Sequence, residues 1–364
     1  TGAATSISKE AIDVLPTINR RIEDVARLTP QYSPAGFGYS FAGVDNRLNN
    51  MTIDGSYFNN SFGLAGQPGD RTGVAPISLD AIEQVQVNIA PYDVRQGNFV
   101  GAGINAVTKS GTNEISGSAY YNWRHAGLVG TKAKESDVPV GKFNYDLIGA
   151  RLGGPIIRDK LFFFVSFEDD KTVSPGTTFR ANLGGETATG NVTRVLATDI
   201  DALSGFLQSK FNYATGAYQG YDFANHSTRF LAKLDFNLND KNKISLRYTQ
   251  LDSKTDVLMS TSSSLGFGGR RSNNNALNFA NSNYAILENI RSIIGEWNSV
   301  ISDNMSNNLI VGYTSNDESR ESKGTFFPMV DILSGGSAYT SFGFEPFTPN
   351  NELRYSSYQF LDNF

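Results

Sequence analysis

Few residues in this chain have the types and spacing that bond-making chemistry requires. Gly101-Ala-Gly-Ile-Asn-Ala106 carries the letters G-x-G-x-x-A, in which glycines let a pyrophosphate approach a helix N-terminus. Val107-Thr-Lys-Ser-Gly111 does not continue as a helix and no βαβ unit surrounds it, so the motif fails on context. His125 and His226 fall in predicted loops without paired spacing, too few for a zinc site or a His-based triad. The absence of cysteine removes thiol nucleophiles, disulfides and thiolate metal sites together. Asp137 and the Asp169-Asp170 pair could meet a cation in an external loop, but no calcium-loop pattern frames them. Asn50-Met-Thr, Asn191-Val-Thr and Asn225-His-Ser are glycosylation sequons by letter only. No enzyme activity, metal or cofactor is expected.

Charge points away from nucleic acid. The 31 Lys+Arg are scattered among 36 Asp+Glu, giving a net charge of −5, and no basic patch emerges. With 36 Gly, 25 Phe and 16 Tyr but only 18% charged residues, the composition favours many strands with tight turns. No run approaches the ~20 apolar residues of a membrane helix. The most apolar stretch, Leu161-Phe-Phe-Phe-Val165, is strand-sized, and Thr1-Gly-Ala-Ala-Thr lacks the basic start of a signal peptide. A transmembrane β-barrel stays open, because its ~10-residue alternating strands barely register as hydropathy.

The elements fall into two regions, 1–113 and 114–364. In the first, Ile12 to Leu28 reads as a helix with Ile18, Ile22 and Val25 at helical spacing. Met51 to Gly55 is a short strand and turn, Ser78 to Glu83 a helical turn, and Val85 to Ile89 an alternating strand. In the second, alternation is regular. Phe230, Ala232, Leu234, Phe236 and Leu238 oppose Arg229, Lys233 and Asp235; Ile244, Leu246 and Tyr248 oppose Ser245 and Arg247. Six further strands are predicted at 115–124, 143–152, 161–168, 289–301, 307–314 and 357–364. The polar faces need water, so Arg229, Lys233, Asp235 and Arg247 are candidates for the wall of a lumen. Tyr121, Trp123, Tyr248 and Trp297 suit an aromatic girdle.

Short connections at 153–159, 239–242 and 302–306 alternate with polar stretches at 125–142, 170–227, 252–288 and 317–356, with a helix predicted at 199–212. That rhythm fits an outer-membrane barrel better than a soluble sandwich or propeller. Eight strands closed on themselves leave no room for a domain inside, and an open sheet cannot meet lipid with bare edges. The chain therefore reads as a fragment, or as one completed by another chain.

Three segments carry a resemblance. Leu48-Asn-Asn-Met-Thr-Ile-Asp-Gly55, Ile77-Ser-Leu-Asp-Ala-Ile-Glu-Gln-Val-Gln-Val87 and Gly101 to Asn113 resemble, in order, the plug domain of TonB-dependent outer-membrane receptors. Leu15-Pro-Thr-Ile-Asn-Arg20, Arg27-Leu-Thr-Pro30, Phe41-Ala-Gly43 and Ala90-Pro-Tyr-Asp-Val-Arg-Gln-Gly97 look most like the Oar-like subgroup. The resemblance implies a mixed α/β plug at 1–113 inside an all-β membrane barrel beginning at 114. About a third of a 22-stranded wall would then be present. The TonB box and the carboxypeptidase-regulatory-like domain expected ahead of Thr1 are not in this sequence.

The same resemblance implies import of an unidentified ligand across the outer membrane of a Gram-negative bacterium, with lipid and a TonB-type coupling protein as partners. A structural or secretion-associated membrane protein is the alternative, and a soluble carbohydrate-binding protein a further one. Tyr57, Phe58, Asn59, Asn60 and Phe62 would form an apical ligand loop or lie against the wall. Glu83 and Arg95 would form plug-to-wall ion pairs or a solvated surface, and Gly97, Gly101 and Gly103 would allow close backbone approach.

Overall fold

The computed structural model describes residues 3–17, 20–33, 40–89, 100–134, 136–137, 140–264 and 268–364. Near the N-terminus, β1 (Ala3–Ser8), β2 (Asn50–Ile53), β3 (Ser56–Tyr57), β4 (Ile82–Ile89) and β5 (Ala102–Thr108) form one sheet in the order β1-β4-β5-β2-β3. Alternation in β5 buries Ala102, Ile104 and Ala106, which pack with Val85, Val87, Met51 and Ile53. The predicted helix over 12–28 is instead two short ones, α1 (Lys9–Val14) and α2 (Ile22–Ala26). Pro16 explains the break: its ring disfavours helical backbone at Leu15, which is extended (φ −72°, ψ 122°).

The wall consists of β6 (Ser116–His125), β7 (Asn144–Ile157), β8 (Leu161–Pro175), β9 (Asp222–Asn239), β10 (Asn242–Val257), β11 (Asn289–Ser302), β12 (Met305–Asp317) and β13 (Arg354–Asn363). All pair antiparallel with their sequence neighbours. Short strands at Tyr284–Leu287 and Arg320–Ser322 extend the sheet beside β10. All eight predicted strands are present. Most run longer than expected, β9 to 18 residues, beyond the ~9–11 that cross a bilayer, so they project past it on the loop side. His125 and His226, predicted in loops, lie in β6 and β9 for this reason.

Each wall strand turns one face outward and one inward. In β9 and β10, Leu234, Leu238, Ile244 and Leu246 are exposed, while Arg229, Leu231, Lys233, Arg247, Thr249 and Leu251 are buried. Outward apolar residues are what lipid accepts without cost. Inward, the wall wraps the plug: Leu251 and Ile290 belong to the same apolar cluster as Val25, Ile53 and Val85.

The long loops are not structureless. Helix α3 (Ala197–Phe211), a parallel pair (Arg180–Asn182 with Val192–Leu196) and a hairpin (Val330–Ser334 with Ser337–Phe342) pack together. Val195, Ile200, Leu207, Tyr213, Leu277, Phe279 and Phe342 form their core. Three separate loops thus share one cap, pinned by Arg270, which is fully buried and bound to Asp331 at 3.0 Å and to the Ser262 carbonyl at 2.9 Å.

Candidate functional site at the plug and wall junction

Lys233 and Arg247 face each other directly across β9 and β10. Like charges in that register repel. The plug supplies the missing anion. Asp54, in the left-handed region (φ 48°) ahead of Gly55 (φ 78°), lies 2.6 Å from Arg247 Nη1 and 3.6 Å from Lys233 Nζ. Arg247 also donates to the Ile53 carbonyl (2.9 Å) and to Ser56 Oγ (2.5 Å). The Thr108 amide and hydroxyl donate to the same carboxylate at 2.7 and 2.6 Å, joining the Asp-Gly turn to the end of β5. Burial alone would raise the Asp54 carboxyl; Arg247, Lys233 and the Thr108 donors hold it below the usual carboxylate range.

Two further polar contacts join the plug to the wall. Ser78, from the Ile77 to Val87 segment, donates to Glu168 of β8 at 2.9 Å. Glu168 also takes the Tyr120 hydroxyl and pairs with Arg229 at 3.0 Å, on the strand directly opposite. Asp80 accepts from Ser118 at 2.7 Å and pairs with Arg151 at 3.0 Å, while Lys109 Nζ donates to its carbonyl at 2.8 Å. Where the chain passes from plug to wall, Gly111 lies so close that an added Cβ would sit 2.3 Å from the Phe163 carbonyl.

The loop after the Asp-Gly turn is held against β12 and β13. The Tyr57 amide donates to Gln359 at 3.1 Å, Asn60 donates to Glu318 at 3.0 Å, and the Phe62 ring lies 4.9 Å from that of Tyr355. Asn59 bonds inward, to the Met51 amide and to Asn50, and Phe58 is buried in the plug. Tyr57 and Phe62 keep exposed rings.

Of the predicted lumen residues, Lys233 and Arg247 come together at Asp54, Arg229 is buried apart from them at Glu168 and Asp170, and Asp235 is half-buried nearer the turns. Gly101 and Gly103 do not lie at the wall. A Cβ at Gly101 would meet Asn49 at 2.4 Å, and Gly103 pairs with Asn50 and Asn88 inside the plug sheet. Glu83 is exposed and forms no ion pair among the described residues; Arg95 and Gly97 lie outside them. Asp54, Ser78 and Asp80 are the contact residues that sequence reasoning missed, although all three stand inside the plug-like motifs. Among the described residues no group of three or more acidic or imidazole side chains could hold a metal.

A lipid-facing wall of antiparallel strands seated on an internal plug defines an outer-membrane β-barrel protein, placed in a Gram-negative outer membrane. Among the described residues no helix is long and apolar enough to span a membrane, which says nothing of crossing by strands. The chain belongs to the outer membrane beta barrel domain family, whose model matches residues 107–363. The TonB-dependent transporter Oar of Myxococcus xanthus is 34% identical over 154 residues, which is 41% of this chain and 14% of that protein. The fold resembles the outer membrane transporter YddB of Escherichia coli (TM-score 0.67, 14% identity, 99% of this chain and 45% of that one). It also resembles the siderophore receptor PirA of Acinetobacter baumannii (TM-score 0.52, 15% identity, 98% of this chain and 43% of that one). The chain thus spans less than half the length of each of these relatives.

Proposed function

We propose that residues 1–113 are the plug, and 114–364 the first part of the wall, of a receptor that imports a ligand through a plugged barrel. A TonB-type protein on the periplasmic side would drive it. The observation that carries this reading is the Asp54 contact: two wall cations face each other and are bridged by one plug carboxylate. A plug seated by a few discrete polar contacts can be released when a partner binds the released form better. The loop at 57–62, with exposed Tyr57 and Phe62 rings, would meet the ligand on the loop side. No bond chemistry is required.

Deleting the gene and measuring uptake of labelled ligands, with and without an energised inner membrane, tests the reading. Loss of uptake for one ligand, dependent on energisation, is expected. Undiminished uptake across a broad panel would sink it, and would favour a protein whose plug permanently seals a pore.

A further inference from the structure

Plug segment 66–73 reaches the loop-side rim of the wall and is gripped there from four directions. The Thr72 carbonyl accepts from Asn225 of β9 at 2.6 Å, and its hydroxyl accepts from Ser253 of β10 at 2.6 Å. The Gly69 amide donates to Glu288, just ahead of β11, at 2.7 Å. Arg71 donates to the carbonyl of Glu318, just beyond β12, at 2.6 Å and to its carboxylate at 3.2 Å.

Glu288 is the unusual member. It is 1% exposed, its donors are the Gly69 amide and, at 3.4 Å, the Thr72 hydroxyl, and among the described residues no cation pairs with it. The charged groups facing it are Glu318 and Asp70, both anions, and Arg71, already committed to Glu318. Asp70 is in turn held by Arg21 at 2.8 Å and faces Glu23, whose carboxyl is pushed up to about 8 by burial, and on the other side the Tyr355 hydroxyl donates to Glu318 at 2.6 Å. Next to this junction Gln67, also 1% exposed, has both side-chain amide atoms without a hydrogen bond among the described residues. The segment is therefore buried without being fully satisfied.

We propose that this junction is a pH-dependent clamp on the plug apex, seated between β9 and β12 while Glu288 is protonated and loosened when Glu288 ionises. An ionised Glu288 would be a buried carboxylate beside two others, which the low-dielectric site penalises. Burial accordingly lifts its carboxyl from the ordinary 4.5 to about 7, with the Gly69 amide and Arg71 opposing and Glu318 and Asp70 adding to the rise. The sign is fixed by linkage. The seated form keeps a proton that the released form loses above 4.5, so the contribution of Glu288 to seating is full below 4.5, fades up to about 7 and is gone beyond. The released-to-seated ratio then changes by up to about tenfold per pH unit in that window. The clamp operates whether the barrel imports a ligand or only seals a pore.

The test uses the full chain in detergent micelles. It contains no cysteine, so Leu64→Cys, at an exposed position just ahead of the segment, gives a unique site for a spin label. The mobile fraction of the label should rise between pH 4.5 and 7, and Glu288→Gln should abolish the rise in that window, while Glu23→Gln, which removes the neighbouring carboxyl that titrates near 8, should leave it in place. Glu318→Gln, which removes a facing anion, should move the step to lower pH. A label indifferent to pH in the parent, an unchanged step in Glu288→Gln, or an unmoved midpoint in Glu318→Gln would each overturn the clamp.

Discussion

Asp54 is one carboxylate between two wall cations, and its loss is predicted to weaken plug seating strongly. Asp54→Asn leaves Lys233 and Arg247 opposed and unneutralised in a buried site, a loss of about 3–5 kcal/mol in plug seating. Protease sensitivity of the plug, measured against urea while the wall stays folded, reads this directly. The same contact should be indifferent to pH across the neutral range. A depressed carboxyl contributes above its ordinary value of 3.8 and is lost only as pH falls through the lowered one. Strong seating at Asp54 combined with a pH step at Glu288 would separate the two ends of the plug in one titration. None of this pairing is legible in the sequence. The alternation around Arg229, Lys233 and Arg247 identifies their face, but a single sequence does not reveal that Lys233 and Arg247 share a register, or which plug residue lies between them.

Among the elements, the wall strands are the most legible part, because one face in lipid and one towards the plug impose a strict period of two on the sequence. Their outer ends read short, since beyond the bilayer the alternation turns polar and looks like loop. Two predictions belong here. Leu246→Arg puts a charge on the outward face of β10, where Leu246 is 45% exposed. It should destabilise the wall by about 2–4 kcal/mol near the bilayer midplane, measurable by urea titration in lipid vesicles. Gly111→Val should hinder assembly, because its Cβ would be placed 2.3 Å from a carbonyl oxygen; reduced recovery of the heat-modifiable folded band on a gel is the expected result. The N-terminal helix misleads because its apolar spacing outweighs Pro16, whose ring forbids the continuous helix that the spacing suggests.

On the scale of the molecule there are three bodies of packing: a plug, a wall that lends Leu251 and Ile290 to the plug's core, and an outer cap. The cap is the least legible. Its core joins side chains from Ala181 to Phe342, in segments that separately look polar and unstructured. Arg270→Ala removes the guanidinium that ties Asp331 to the Ser260 and Ser262 carbonyls. Cleavage within 258–283 and 323–353 should then accelerate in limited proteolysis while the wall fragments persist.

Because α3, the 330–342 hairpin and the 276–279 segment share that core, the loop side of the wall presents a discontinuous surface assembled from distant stretches of chain. A synthetic peptide copying any one loop would lack the side chains that shape it. An antibody or phage tail recognising the folded cap would therefore ignore such a peptide, and escape from it could arise at buried positions that the binder never touches.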